Sequence, residues 1–146
     1  MRQRTVLLIT SSPQEAQRLQ QTLEQTGLHH TLRVVYDGEE ALAYLWQARL
    51  HADLRHDPCP DIIVLDLPLP RLRGLEFLQR LKQDQRLKRV PTLVLTTSIG
   101  SHEVRQAYAA GANACLWKPV EGPDFAEVMG QIGKFWLETV ALPSDA

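Results

Sequence analysis

Four positions in this chain pair a reactive residue type with the end of a short apolar run: Thr10 with Ser11, Asp66, Thr96 and Lys118. A carboxylate near an ammonium and a hydroxyl can do specific chemistry. Charge proximity to Lys118 is expected to hold Asp66 ionised. An ionised carboxylate can attack a phosphoryl group and form an aspartyl phosphate. Lys118 and Thr96 could then neutralise and hydrogen-bond the new phosphate oxygens. The same residues could equally form a structural ion pair, with the carboxylate capping turn amides. Spacing alone favours that plainer arrangement and leaves both open.

The runs must bring these residues together. Ile62-Ile63-Val64-Leu65 is short, unbroken and rich in β-branched residues, which predicts a strand buried on both faces and ending on Asp66. Pro68 and Pro70 then bar a continued strand, and Gly74 precedes a helical pattern from Leu75 to Leu81. Thr5 to Thr10 repeats the buried-strand pattern. Ser12, Pro13 and Glu15 follow it as cap, first helical residue and capping-box acid. That helix should carry Ala16, Leu19 and Leu23 inward and stop near Gly27. Leu32 to Tyr36 is a more polar strand, expected at an edge. A helix capped by Asp37 follows, with Ala41, Leu42, Leu45 and Trp46 as its apolar face. Lys82 to Arg89 reads as a solvated connection. Val90 to Leu95 is a fourth strand, Ser101 to Ala110 a helix closed by Gly111, Ala114 to Trp117 a fifth strand, and 123–140 a last helix. Strands and helices alternate five times, so the expected fold is α/β. It is a doubly wound parallel sheet of five strands in the flavodoxin-like order 2-1-3-4-5. In such a sheet the chemistry sits at the carboxyl ends of the strands, where Asp66 lies. Ile62, Val64, Leu7, Ile9, Leu93 and Leu95 should be nearly fully buried.

Bulk properties narrow the function. At 146 residues the chain is expected to be a single domain over 1–146, with a C-terminal helix and tail from about 123. Sixteen basic and seventeen acidic residues nearly cancel, which predicts neither a nucleic-acid partner nor a membrane surface. No apolar run approaches the ~20 residues of a membrane span. Cys59 and Cys115 are the only cysteines, which fits a cytoplasmic location. His51, His56 and Cys59 match no usual zinc spacing and are expected to be solvated loop residues. Cys115 is expected in a buried strand, and Trp117 packed under a helix.

Asp66 with Pro70 and Gly74, Thr96 at the end of the fourth strand, and Lys118-Pro119 after the fifth resemble a response-regulator receiver domain over essentially the whole chain. Tyr36 to Leu42, the long loop before the third strand, Leu95-Thr96-Thr97-Ser98 and Phe135-Trp136-Leu137 resemble the single-domain regulators associated with bacterial phytochromes. The resemblance implies a non-enzymatic signalling protein of a two-component system. In it Asp66 is the phosphoacceptor, Thr96 the switch hydroxyl and Lys118 the phosphate-contacting lysine, and the partner is a sensor histidine kinase or another signalling protein. It also implies Mg²⁺ on an acidic pair after the first strand. Here those positions are Thr10 and Ser11, so Asp66 should hold Mg²⁺ weakly if at all, and no other cofactor is expected. Glu15 could compensate, although the capping box claims it. Cys115 stands where the family places a switch aromatic, and Arg71 and Arg73 could meet a partner's acidic face.

Three functions remain in view. One is a phosphotransfer switch with impaired Mg²⁺-dependent phosphorylation. Another is a pseudo-receiver that binds a partner without phosphorylation. The last is a flavin or nucleotide binder using Thr10, Ser11 and Ser12 as a phosphate cradle, against which stand a loop without glycine and Pro13 without an amide donor. On the final helix Phe125, Val128, Met129, Ile132 and Trp136 form one stripe that the sheet can bury. Phe135, Leu137, Val140 and Leu142 fall outside it. Together with Trp136 they are expected to form a homodimer interface, which the resemblance places in the C-terminal extension.

Overall fold

A computed structural model of the chain describes residues 4–27, 30–50, 59–67, 74–97, 101–118 and 123–143. His51, His56, Pro68, Pro70, Arg71, Arg73, Ser98 and Pro119 lie outside them. The strands are β1 (Arg4–Ile9), β2 (His30–Val35), β3 (Ile62–Asp66), β4 (Thr92–Thr96) and β5 (Ala114–Trp117). All pair in parallel, in the order β2-β1-β3-β4-β5. The helices are α1 (Pro13–Gln25), α2 (Gly38–Leu50), α3 (Gly74–Gln83), α4 (Ser101–Ala110) and α5 (Pro123–Ile132).

Successive strand residues face opposite sides of a sheet. Leu7, Ile9, Ile63, Leu65 and Val94 therefore join one core, beneath α2, α3 and α4. Val6, Leu8, Ile62, Val64, Leu93 and Leu95 join the other, beneath α1 and α5. Both cores are continuous because β1, β3 and β4 are central and apolar on both faces, and the six residues expected in the core are all buried. The more polar β2 lies at an edge, as its pattern predicts. Asp37 caps α2 by accepting the Glu40 amide at 2.7 Å.

Four expectations are corrected. Ala48, not Trp46, completes the buried face of α2 with Ala41, Leu42 and Leu45, while Trp46 is exposed. β5 is an edge strand and only half covered, so Cys115 is half-buried and Trp117 is 57% exposed. The segment after α3 is not simply solvated. Leu87 is fully buried, and Lys82 donates to Lys88 O (3.2 Å), Val90 O (3.0 Å) and Asn113 Oδ1 (3.1 Å). That ammonium ties α3 to the entries of β4 and β5, and its burial lowers its pKa. Gly111, at φ +114°, lets the chain pass close to it, because a Cβ there would stand 2.6 Å from Lys82 Cγ.

The fourth correction is at the C-terminus. α5 passes into a π-helical segment, Gly133–Thr139, whose last turn is closed by the Val140 amide donating to Phe135 O at 2.8 Å. The wider turn shifts the inward face by a residue. Leu137 is 5% exposed and Leu142 3%, both in the core, while Val140 and Trp136 pack partly against it. Leu137 and Leu142 are therefore buried within the chain, not exposed as expected. Phe135 alone of the five is exposed, at 55%, with its ring edge-on to Trp136.

Candidate functional site

Asp66 ends β3, Thr10 follows β1, Thr96 ends β4 and Lys118 follows β5, so the parallel register delivers all four to one edge of the sheet. All four are buried. Lys118 Nζ donates to Asp66 Oδ1 in a short contact. Thr10 Oγ1 donates to Asp66 Oδ2 at 2.6 Å. Backbone bonds fix the frame: the Lys118 amide donates to Thr96 O at 2.8 Å, and the Leu67 amide to Leu95 O at 3.0 Å. Gly74 starts α3 against this strand end, where a Cβ would collide with the Leu67 side chain.

Glu15 is the residue the sequence placed least well. Half of the capping box forms, with the Glu15 amide donating to Ser12 Oγ at 3.2 Å. The reciprocal half does not, because the Ser12 amide donates instead to Thr10 Oγ1 at 3.1 Å. The Glu15 carboxylate reaches into the site, where Oε2 accepts from Lys118 Nζ at 3.1 Å and Oε1 lies 3.0 Å from the same ammonium. One ammonium thus serves two carboxylates.

The electrostatics differ from the expectation that Lys118 keeps Asp66 ionised. Burial, followed by the neighbouring Glu15 carboxylate, pushes Asp66 up to about 7, against the pull of Lys118 and Thr10. Burial also raises Glu15, but its contacts with Asp66 and Lys118 outweigh this and hold it below the usual carboxylate range. Burial lowers Lys118, and the two carboxylates more than reverse that.

This donor set does not suit a hard divalent cation. Thr10 donates its hydroxyl proton to Asp66, Ser11 is exposed and uncharged, and both carboxylates are turned onto an ammonium. Among the described residues no three His, Cys, Asp or Glu side chains group as a metal cage requires. The first loop makes a poor phosphate cradle as well, since the Thr10 and Ser12 hydroxyls are committed inward.

Two contacts join α4 to β4 and β5. Thr96 Oγ1 makes a long bond to Glu103 Oε2 of α4, at 3.5 Å. Tyr108, also on α4, accepts the Cys115 amide with its hydroxyl at 3.1 Å. Burial, then Glu103, raises the Cys115 thiol. Helical spacing could not reveal Glu103 or Tyr108 as neighbours of β4 and β5, because those contacts depend on how α4 is laid against the sheet.

The model of one protein family, the response regulator receiver domain, matches residues 6–129. Response regulator Rcp1 of Synechocystis sp. is 36% identical over 97% of this chain and 94% of that protein. A crystal structure of the Mn²⁺-bound form of Rcp1 superposes with a TM-score of 0.85, covering 96% of this chain and 99% of that one. The crystal structure of the phosphorylated cyanobacterial phytochrome response regulator RcpA is 32% identical. It superposes with a TM-score of 0.86 over 97% of this chain and 99% of that one.

Proposed function

Because the chain belongs to the response regulator receiver domain family, we propose that it is a phosphotransfer switch whose phosphoacceptor is Asp66. The supporting observation is the convergence of Asp66, Lys118 and Thr96 at the carboxyl edge of the sheet, with Lys118 on one carboxylate oxygen. In this step an Asp66 oxygen attacks the phosphorus of a kinase phosphohistidine. The nitrogen–phosphorus bond breaks and the imidazole regains a proton from solvent. Lys118 stabilises the charge on the equatorial oxygens, and Thr96 donates a hydrogen bond once its long contact to Glu103 is given up. Phosphoryl transfer is slow, because Thr10 and Ser11 supply no acids for a divalent ion and Asp66 must be ionised to attack.

The test is phosphate incorporation from a histidine kinase and from acetyl phosphate, at millimolar Mg²⁺ and in chelator. Slow labelling that disappears in Asp66→Asn is expected. Labelling at an ordinary receiver rate would remove the impairment, and complete lack of labelling would remove the switch. The engagement of both carboxylates by Lys118 supports a second function, a partner-binding pseudo-receiver that needs no phosphate; it stands if no donor labels Asp66.

The protein is further proposed to act in a reducing cytoplasm, as a content of only two cysteines suggests, through contact with a kinase or another signalling protein. No helix among the described residues is long and apolar enough to cross a membrane. Self-association as a homodimer belongs to the same proposal, now centred on Phe135 and the exposed part of Trp136.

A further inference from the structure

We infer that Glu15 is a positioning residue that occupies Lys118 in the unphosphorylated protein and must leave it before a phosphoryl group can settle on Asp66. The inference rests on Asp66 being the phosphoacceptor. An ammonium has three donors. Here it donates to Asp66 Oδ1 and Glu15 Oε2, with Glu15 Oε1 also at ion-pair distance, 3.0 Å, so a phosphoryl oxygen must compete with the Glu15 carboxylate for the ammonium. Glu15 therefore fills the place of the incoming oxygen, and fills it with a like charge.

The local chain explains why Glu15 can do this. At the third position of α1 a glutamate ordinarily turns back to the cap amide. The Ser12 amide is already taken by Thr10 Oγ1, whose own proton goes to Asp66. Thr10, at the position where the family places an acid, thus satisfies the cap and frees the Glu15 carboxylate. A loop with no acid of its own thus receives one from the first turn of α1.

The exit route is also defined. A void of about 10 Å³ lies beside Glu15 and Asp66, walled by Leu8, Leu19, Leu95 and Met129. It is apolar and at the lower limit for one water, so it disfavours a displaced carboxylate. Glu15, whose side chain is 26% exposed, must swing outward to solvent. Phosphorylation would then uncover a carboxylate on the first turn of α1.

The experiment uses the full chain and the beryllofluoride phosphoryl mimic with Mg²⁺, read by Trp117 fluorescence beside Lys118. Glu15→Gln should bind the mimic roughly five- to tenfold more tightly than the unmodified protein and take phosphate from acetyl phosphate correspondingly faster. Binding that is unchanged or weaker would overturn the inference, and weaker binding together with lost Mg²⁺ dependence would make Glu15 a metal ligand. A second readout does not depend on phosphoryl chemistry: acylation of Lys118 by an amine-reactive reagent, followed by mass spectrometry. Glu15→Gln should speed labelling of Lys118 several-fold, and unchanged labelling also overturns the inference. Faster labelling of Lys118 with no phosphate on Asp66 from any donor would retain Glu15 on Lys118 and discard Asp66 as the phosphoacceptor.

Discussion

Asp66 carries the site, and its environment sets a pH dependence with a definite sign. Its folded-state pKa is raised, from 3.8 to about 7. The folded protein therefore binds this proton more tightly than the unfolded chain does. The favourable contribution is complete below the unfolded value and is lost as pH rises towards 7. Glu15 is shifted the other way, so its contribution is present above its ordinary value of 4.5 and is lost only below it. Between about pH 4.5 and 7 the Asp66 effect is thus isolated. Urea unfolding from pH 5 to 8 should show Asp66→Asn gaining on the unmodified protein as pH rises, with the gain levelling above about 7. A gain that stays constant from pH 5 to 8 would mean that Lys118 keeps Asp66 ionised after all. At the neighbouring position, Thr10→Glu with Ser11→Asp should restore divalent binding. Before metal is added the pair should lower stability, because two more carboxylates then crowd Asp66 and Glu15. Added Mg²⁺ should recover the melting temperature in proportion to its affinity, as calorimetry would read. A variant indifferent to Mg²⁺ would show that the loop no longer has receiver geometry.

At the scale of the element, the strands were legible from sequence because their apolar runs are unbroken and bounded by prolines, glycines and polar residues. Val64 illustrates this. It is central and fully buried, and Val64→Ala should cost about 1–3 kcal/mol in denaturant unfolding through lost burial and a cavity. The end of α5 was not legible. Periodicity at 3.6 residues per turn leads from Met129 and Ile132 to Trp136, and no residue type announces that the turn widens after Ile132. The π-helical segment makes Leu137 the core residue, five positions on. Paired substitutions separate the two registers. Leu137→Ala should cost about 2–5 kcal/mol, whereas Phe135→Ser should stay within about 0.5. The opposite ranking in thermal unfolding would restore a continuous α-helix. Glu15 was legible as a cap residue and as an acid that could compensate for the missing pair, but not as a partner of Lys118. Both roles need an acid three residues after Ser12, and only the capture of the Ser12 amide by Thr10 decides between them. Lys82 was missed for a related reason. Its three acceptors come from two separate turns, so a polar stretch conceals a tertiary tie.

For the whole molecule, the sheet separates a chemical edge, where Asp66 sits, from surfaces that can meet other proteins. Net charge is −1, so long-range steering and long-range self-repulsion are both small, and short-range apolar contact decides association. Sequence alone offered five residues for a C-terminal interface, and burial leaves Phe135 with part of Trp136. A large aromatic has only two side-chain torsions, and Phe135 already lies against a second ring, so docking it costs little side-chain entropy. In a two-fold dimer the same patch faces itself, which would bring two Phe135 rings and two Trp136 edges together. Sedimentation velocity on the unmodified protein should therefore show a monomer–dimer equilibrium at micromolar concentration. Phe135→Ser should weaken it at least about tenfold, as expected for an aromatic near the centre of a small interface. Its stability should be unchanged in the same samples, because the side chain lies outside the core. A monomer at high micromolar concentration, or a dimer indifferent to Phe135→Ser, would remove this surface from the assembly.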